Sequence, residues 1–116
     1  LAPTIVTKDS TPYMILGAPG GTQIAMGILQ TILNTVEFKM NMLEAVSAPR
    51  FSATSNIIDV TNRIPSFVTE GLEELNYNVQ RSALTFGIAA VHGIRIKNGL
   101  MDGGADPGHD GIALSI

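Results

Sequence analysis

Apolar and polar positions alternate in stretches that change period along this chain, and the changes predict its elements. Thr4-Ile5-Val6 and Tyr13-Met14-Ile15-Leu16 read as two strands, because Asp9, Ser10 and Pro12 between them are turn formers. The second run is short, apolar and stopped by Gly17, as a buried strand would be. Beyond Gly17-Ala18-Pro19-Gly20-Gly21, apolar residues recur at Ile24, Ile28, Leu29, Ile32, Leu33 and Val36. Gln23, Gln30, Thr31, Asn34 and Thr35 fall on the other side of a 3.6-residue wheel, so the spacing predicts an amphipathic helix with a polar solvent face.

A second helix is predicted from Asn41, whose side chain can cap it while Glu44 reaches back, and Pro49 ends it by disfavouring helical geometry at Ala48. Ile57 to Val60 is β-branched and reads as a short strand. Pro65 can open a third helix through Leu75 with Val68, Leu72 and Leu75 on one face, leaving Asn76 and Asn78 for the exit turn. From Val79 onward the pattern is β. Ile88 to Val91 is apolar, Gly93 permits a turn, Ile94 to Lys97 alternates, and Asn98-Gly99 is a favoured hairpin dipeptide from which Leu100 to Gly103 pairs back. Gly111 to Ile116 is predicted as a last strand. The organisation is one α/β unit over residues 1–116, with two helices together before a run of hairpins and no internal repeat.

Composition narrows what such a unit does. The 116 residues are 45% hydrophobic and only 15% charged, a composition that suits a layer packed onto a partner surface as well as an apolar α/β core. Ten acidic residues against seven basic ones, with no Lys/Arg cluster, argue against nucleic acid. Cysteine is absent, which excludes disulfides and thiolate metal sites and leaves the compartment open. No apolar run approaches the ~18 residues of a membrane span, and no signal-peptide pattern is present. The chain opens on Leu1 rather than Met, so it reads as a processing product or a piece of something longer.

Candidate chemistry concentrates in the glycine loop. Between a buried strand and a helix N-terminus, the Gly20 and Gly21 N–H groups lack intrahelical partners and point where the helix dipole is positive. Glycine also lacks the Cβ that would obstruct a ligand oxygen. The loop reads as a tight structural turn, an anion cradle or an oxyanion hole. Phosphate binding is disfavoured because Thr22 and Gln23 stand where a Walker-type loop places its Lys and hydroxyl. His92 and His109, seventeen residues apart on a strand and in a turn, make a poor metal pair. Asp102, Asp106 and Asp110 lie among glycines and prolines that forbid a helix, so they are expected to tie down turns by accepting backbone N–H bonds. Arg50, after Pro49, is placed to pair with one of them.

Three segments in this order carry a resemblance: the Gly17–Gly21 loop before a helix, Asn41-Met42-Leu43-Glu44-Ala45-Val46-Ser47-Ala48-Pro49-Arg50-Phe51, and Gly104-Ala105-Asp106-Pro107-Gly108-His109-Asp110-Gly111. Together with Ala2-Pro3-Thr4-Ile5-Val6, which is similar to the stretch after that family's paired serines, they resemble the γ-glutamyltranspeptidase family over essentially the whole chain. The resemblance implies an α+β fold, part of a four-layer α/β/β/α sandwich of N-terminal-nucleophile hydrolase type with largely antiparallel sheets. It implies an autoprocessed transferase or hydrolase in which a newly exposed Thr is nucleophile and, through its α-amine, general base. By position Gly20 and Gly21 look like the oxyanion-hole pair, facing the γ-carbonyl of glutathione or a related donor. No cofactor or metal is implied; the implied partners are the rest of the small subunit and the large subunit of one precursor, and export in bacteria is favoured.

The chain departs from the family pattern at informative places. The catalytic Thr, the substrate-carboxylate Arg and the paired serines have no counterpart among these residues, so the chain alone is expected to be inert. Ser52-Ala53 stands where the family often has histidines, and Asp106-Pro107-Gly108 where it has Asp-Pro-Arg. These changes leave a related acylase or amidohydrolase, or a non-catalytic anion-binding module, as the alternatives.

Overall fold

The structure is a computed structural model and describes residues 2–116. Strands β1 (Thr4–Lys8) and β2 (Thr11–Gly17) form the predicted antiparallel hairpin. Its turn residues Asp9 and Ser10 both take positive φ, which short polar side chains tolerate best. Pro12 lies within β2 rather than in the turn, opposite Thr7, where the register shifts between Val6 and Thr7; a bulge is where a strand accommodates proline. A single 3₁₀ turn (Gly21–Gln23) leads into α1 (Ile24–Val36), followed by α2 (Met42–Ser47). The predicted capping box is formed: Asn41 Oδ1 accepts from the Glu44 N–H at 2.8 Å, and the Glu44 carboxylate accepts from the Asn41 N–H at 2.9 Å. Replacing Asn41 by Ala is therefore expected to cost about 1 kcal/mol, read as a lower denaturation midpoint.

The chain then forms β3 (Phe51–Ser52), β4 (Ile57–Val60), α3 (Ser66–Glu74), β5 (Asn78–Arg81), β6 (His92–Lys97) and β7 (Leu100–Ala105). One sheet has the order β1-β2-β6-β7 and is antiparallel throughout; the other has the order β3-β4-β5, with β4 and β5 parallel across α3. The class is α+β, as expected. The β6-β7 hairpin turns at Asn98-Gly99 with positive φ at both positions, as that dipeptide predicts.

Alternation in the four-stranded sheet separates two faces. Met14 and Leu16 of β2 are buried on one face and join Ala18, Ile28, Met42, Val46 and Val91 in the core beneath α1 and α2. The other face carries Ile5, Ile15 and Ile94 as successive cross-strand partners, all exposed. Gly93 was expected at a turn but lies inside β6, paired with Leu16 and Gly104. A Cβ on Gly93 would run into the Leu16 side chain and lie 2.8 Å from Met42 Sδ, and one on Gly104 would lie 2.8 Å from the Leu43 nitrogen. These two glycines form the floor on which the first turn of α2 rests, so close approach, not chain reversal, dictates them.

Four other expectations are corrected. In α1, Ile28 is buried and Ile24 and Ile32 are half-buried, but Leu29, Leu33 and Val36 are exposed while Gln30, Thr31 and Thr35 are buried. The polar residues enter because each is satisfied: Thr31 Oγ1 donates to Gly27 O at 2.9 Å, Thr35 Oγ1 to Thr31 O at 3.0 Å, and Gln30 exchanges two bonds with the Phe51 backbone. In α3 the predicted apolar face is largely open, with Val68 and Leu75 exposed and Thr69 the buried residue. Asn78 begins β5 instead of ending a turn, since parallel pairing with Ile57 claims it. Residues 111–116 form no strand: they run past β6 and β7 with Ile112 and Leu114 exposed, and no ladder among the described residues pairs them.

Candidate functional site

The loop after β2 is shaped by steric demands on its glycines. Ala18 is buried and Pro19 half-buried, which anchors the loop, and Gly20 and Gly21 then emerge at the surface. Gly20 has φ 143° and Gly21 φ 61°, a region that residues with a side chain enter only at a cost. A Cβ on Gly20 would lie 2.7 Å from Ala89 Cα, whereas one on Gly21 would meet nothing within 4 Å. Gly20 is thus fixed by both conformation and space, and Gly21 by conformation alone.

Hydrogen bonding leaves both amides free. Gly20 O accepts from the Gln23 N–H at 3.2 Å and Gly21 O from the Ile24 N–H, closing the 3₁₀ turn. Among the described residues neither the Gly20 nor the Gly21 N–H donates to a protein acceptor. Both glycines are exposed, and their unbonded amides precede the 3₁₀ turn that leads into the 13-residue helix α1.

Behind the loop lies a buried ion pair that sequence reading placed only as a possibility. Arg50 is 3% exposed and Asp106 1% exposed, and the guanidinium Nη2 meets Asp106 Oδ2 directly. Arg50 also donates from Nε to Ile88 O at 3.0 Å, from Nη1 to Val46 O at 2.9 Å and from Nη2 to Ala89 O at 3.1 Å. Asp106 accepts from the Val91 N–H at 3.2 Å and the Gly108 N–H at 2.9 Å. Nearly every polar atom of the pair is engaged, which is the condition for burying an ion pair at tolerable cost. No signal within a few residues of Arg50 announces this, because its partner is 56 positions away.

The other singled-out residues have separate places. Asp102 was expected to tie down a turn but lies in β7; it accepts from the Met42 N–H at 2.8 Å and pairs with Arg95 at 3.0 Å, so it caps α2 from the sheet. His92 and His109 do meet, their ring centroids 5.4 Å apart and tilted by 56°. Among the described residues no group of three or more His, Asp or Glu could hold a metal ion. At Gly108 a side chain would run into Phe86, whose ring instead carries the Arg63 guanidinium 4.3 Å from its centroid. Burial, and then the positive charge of Arg50, lowers the Arg63 pKa against the opposing effect of Asp106. An arginine starts from so high a value that it stays charged across the physiological range, so no pH dependence follows.

Comparison with known proteins places the chain in a family. A γ-glutamyltranspeptidase family model matches residues 1–116. The glutathione hydrolase proenzyme of Bacillus subtilis (strain 168) is 32% identical over 117 residues, which cover 100% of this chain and 20% of that protein. The chain therefore spans about a fifth of the length of this relative. Among solved structures, the γ-glutamyltranspeptidase of Pseudomonas nitroreducens superposes with a TM-score of 0.87 over 99% of this chain and 61% of its own, at 23% identity. A γ-glutamyltranspeptidase of Helicobacter pylori gives 0.82 over 91% of this chain and 59% of its own, at 30% identity. The fold is that of the N-terminal-nucleophile hydrolases, and no helix among the described residues is long and apolar enough to cross a membrane. With the family model matching end to end, the chain belongs to the γ-glutamyltranspeptidase family.

Proposed function

We propose that residues 1–116 are the C-terminal part of the small subunit of a γ-glutamyl transferase or hydrolase acting on glutathione-like γ-glutamyl amides. In this reading Gly20 and Gly21 are its oxyanion donors. The observation that carries it is the pair of exposed, unbonded, left-handed glycine amides at the start of α1, in a chain of this family. A Thr Oγ supplied by the rest of the precursor attacks the γ-carbonyl, and the charge gathering on that oxygen is received by the two N–H groups. The C–N bond then breaks, the leaving amine takes a proton through the Thr α-amine, and water or an acceptor amine resolves the acyl-enzyme. No step calls for a cofactor. On this reading the chain alone is inert, because it supplies stabilisation without a nucleophile.

The sheet supports a precursor larger than this chain. Its outer face presents Ile5, Ile15 and Ile94 in one row, with exposed Met101 nearby, and α1 presents Leu29 and Leu33 on its outer side. Such surfaces are costly in water and suit burial under the remaining layers of the sandwich, contributed by the rest of the small subunit and the large subunit.

The test uses the full-length gene product and cleavage of a γ-glutamyl anilide. A backbone donor cannot be deleted by substitution, so Gly21→Leu is the practical probe: its Cβ meets nothing within 4 Å, its φ of 61° adds strain to the loop, and the longer side chain crowds the oxygen site. The expected loss in kcat is about 100- to 1000-fold, on the scale of a lost oxyanion donor, with the processed subunits still assembled. Equal activity in Gly21→Leu would remove the catalytic role. Calorimetric titration with phosphate or a nucleotide separates the anion-binding alternative, since acyl transfer predicts no specific heat.

A further inference from the structure

Two non-glycine residues behind the loop adopt a conformation that nothing in their own sequence favours. Ile88 has φ 59° and Ala89 φ 65°, consecutive left-handed residues, one of them β-branched. Such a pair persists only where its surroundings over-determine it. The surroundings here are the buried ion pair: Arg50 takes the Ile88 and Ala89 carbonyls on one guanidinium, and Asp106 takes the Val91 N–H. Between them the Ala90 N–H donates to Pro19 O at 3.2 Å, tying the segment to the glycine loop itself.

The strained residue is also the one that touches the loop. Ala89 Cα occupies the space where a Gly20 side chain would begin, and Ala89 Cβ lies 3.0 Å from where one on Gly27 would begin. A methyl group therefore sits in a notch made by two glycines, one in the loop and one in the first turn of α1. Gly20 can retreat no further in that direction.

We propose that Ala89 is a positioning residue: locked left-handed by Arg50 and Asp106, it is the back wall that sets the direction of the Gly20 and Gly21 amides. This rests on the reading that those amides receive the developing oxyanion. It assigns to the Arg50–Asp106 pair a part in setting loop geometry, transmitted through segment 88–91, beyond holding the core. The strain then has a use, since a relaxed segment would leave the notch and the loop would lose its stop.

Ala89→Gly tests this in the full-length processed protein, because it takes away the methyl that fills the notch and, by relieving the strain, frees the remaining backbone to move off Gly20. Glycine enters positive φ freely, so the thermal midpoint should stay level or rise. Activity should move the other way: kcat for a γ-glutamyl anilide falls about 10- to 100-fold while KM changes less than about twofold, the pattern of a donor misplaced by about 1 Å. Arg50→Lys, which keeps the charge but loses the fork, should show the same division between kcat and KM. A kcat for Ala89→Gly within about twofold of the unaltered protein overturns the proposal. A crystal structure of Ala89→Gly gives a readout independent of turnover. Displacement of Gly20 supports the inference even if the unaltered protein proves not to cleave γ-glutamyl amides, and an unmoved loop overturns it even if the protein is fully active.

Discussion

Arg50→Met in the full-length protein is expected to cost about 3–5 kcal/mol, seen as a large fall in the denaturation midpoint or as loss of soluble protein. Methionine fills much of the same volume, so packing is not the main loss. The loss comes from Asp106, 1% exposed, which keeps its bonds to the Val91 and Gly108 amides but no longer has a counter-charge. The Val46, Ile88 and Ala89 carbonyls lose their donor in the same step. Exchanging both members, Arg50→Met with Asp106→Leu, should recover a good part of the loss, because an apolar pair removes the orphaned charge. The double-mutant cycle isolates that coupling. Additive losses from the two single substitutions would mean that the two groups do not act as a pair. Recovery of stability without recovery of kcat in the double variant is the outcome that agrees with a positioning role for Arg50.

Ile28→Asp is expected to be at least as damaging. Ile28 is 6% exposed and packs in the cluster of Met14, Leu16, Ala18, Met42, Val46 and Val91 that joins α1 to the sheet. The substitution forfeits about 1.5–3 kcal/mol of apolar burial and adds a carboxylate with no partner in that cluster. The sum, about 4 kcal/mol or more, matches the large losses reserved for buried unpaired charges. Soluble expression and thermal melting of the full-length protein give the readout. A folded variant with an unchanged midpoint would contradict the placement of Ile28 in the core.

Position within the helix also shows why a wheel drawn from sequence was incomplete. Leu29 and Leu33 carry the same apolar character as Ile28 and Ile32, and no property of the helix alone tells which ridge meets the sheet. The choice was made by Gln30, whose amide bonds the Phe51 backbone on both sides, and by Thr31 and Thr35, whose hydroxyls return to the helix's own carbonyls. The exposed ridge is what would be expected of a helix with a second neighbour outside this chain.

Some of this protein was decided within a few residues of chain. The Asp9-Ser10 and Asn98-Gly99 turns, the Asn41–Glu44 capping box and the extent of α1 were readable because propensity and local hydrogen bonding act over at most four positions. The glycine loop before α1 was readable for the same reason, along with its place in the family pattern. Tertiary structure alone decided that Gly93 floors a helix, that Ile88 and Ala89 are held left-handed, that residues 111–116 find no strand partner among the described residues, and that Asp106 is the aspartate Arg50 meets. Each depends on groups distant in sequence brought into contact by burial, and no local preference encodes a force exerted by a partner that arrives only when the chain has folded.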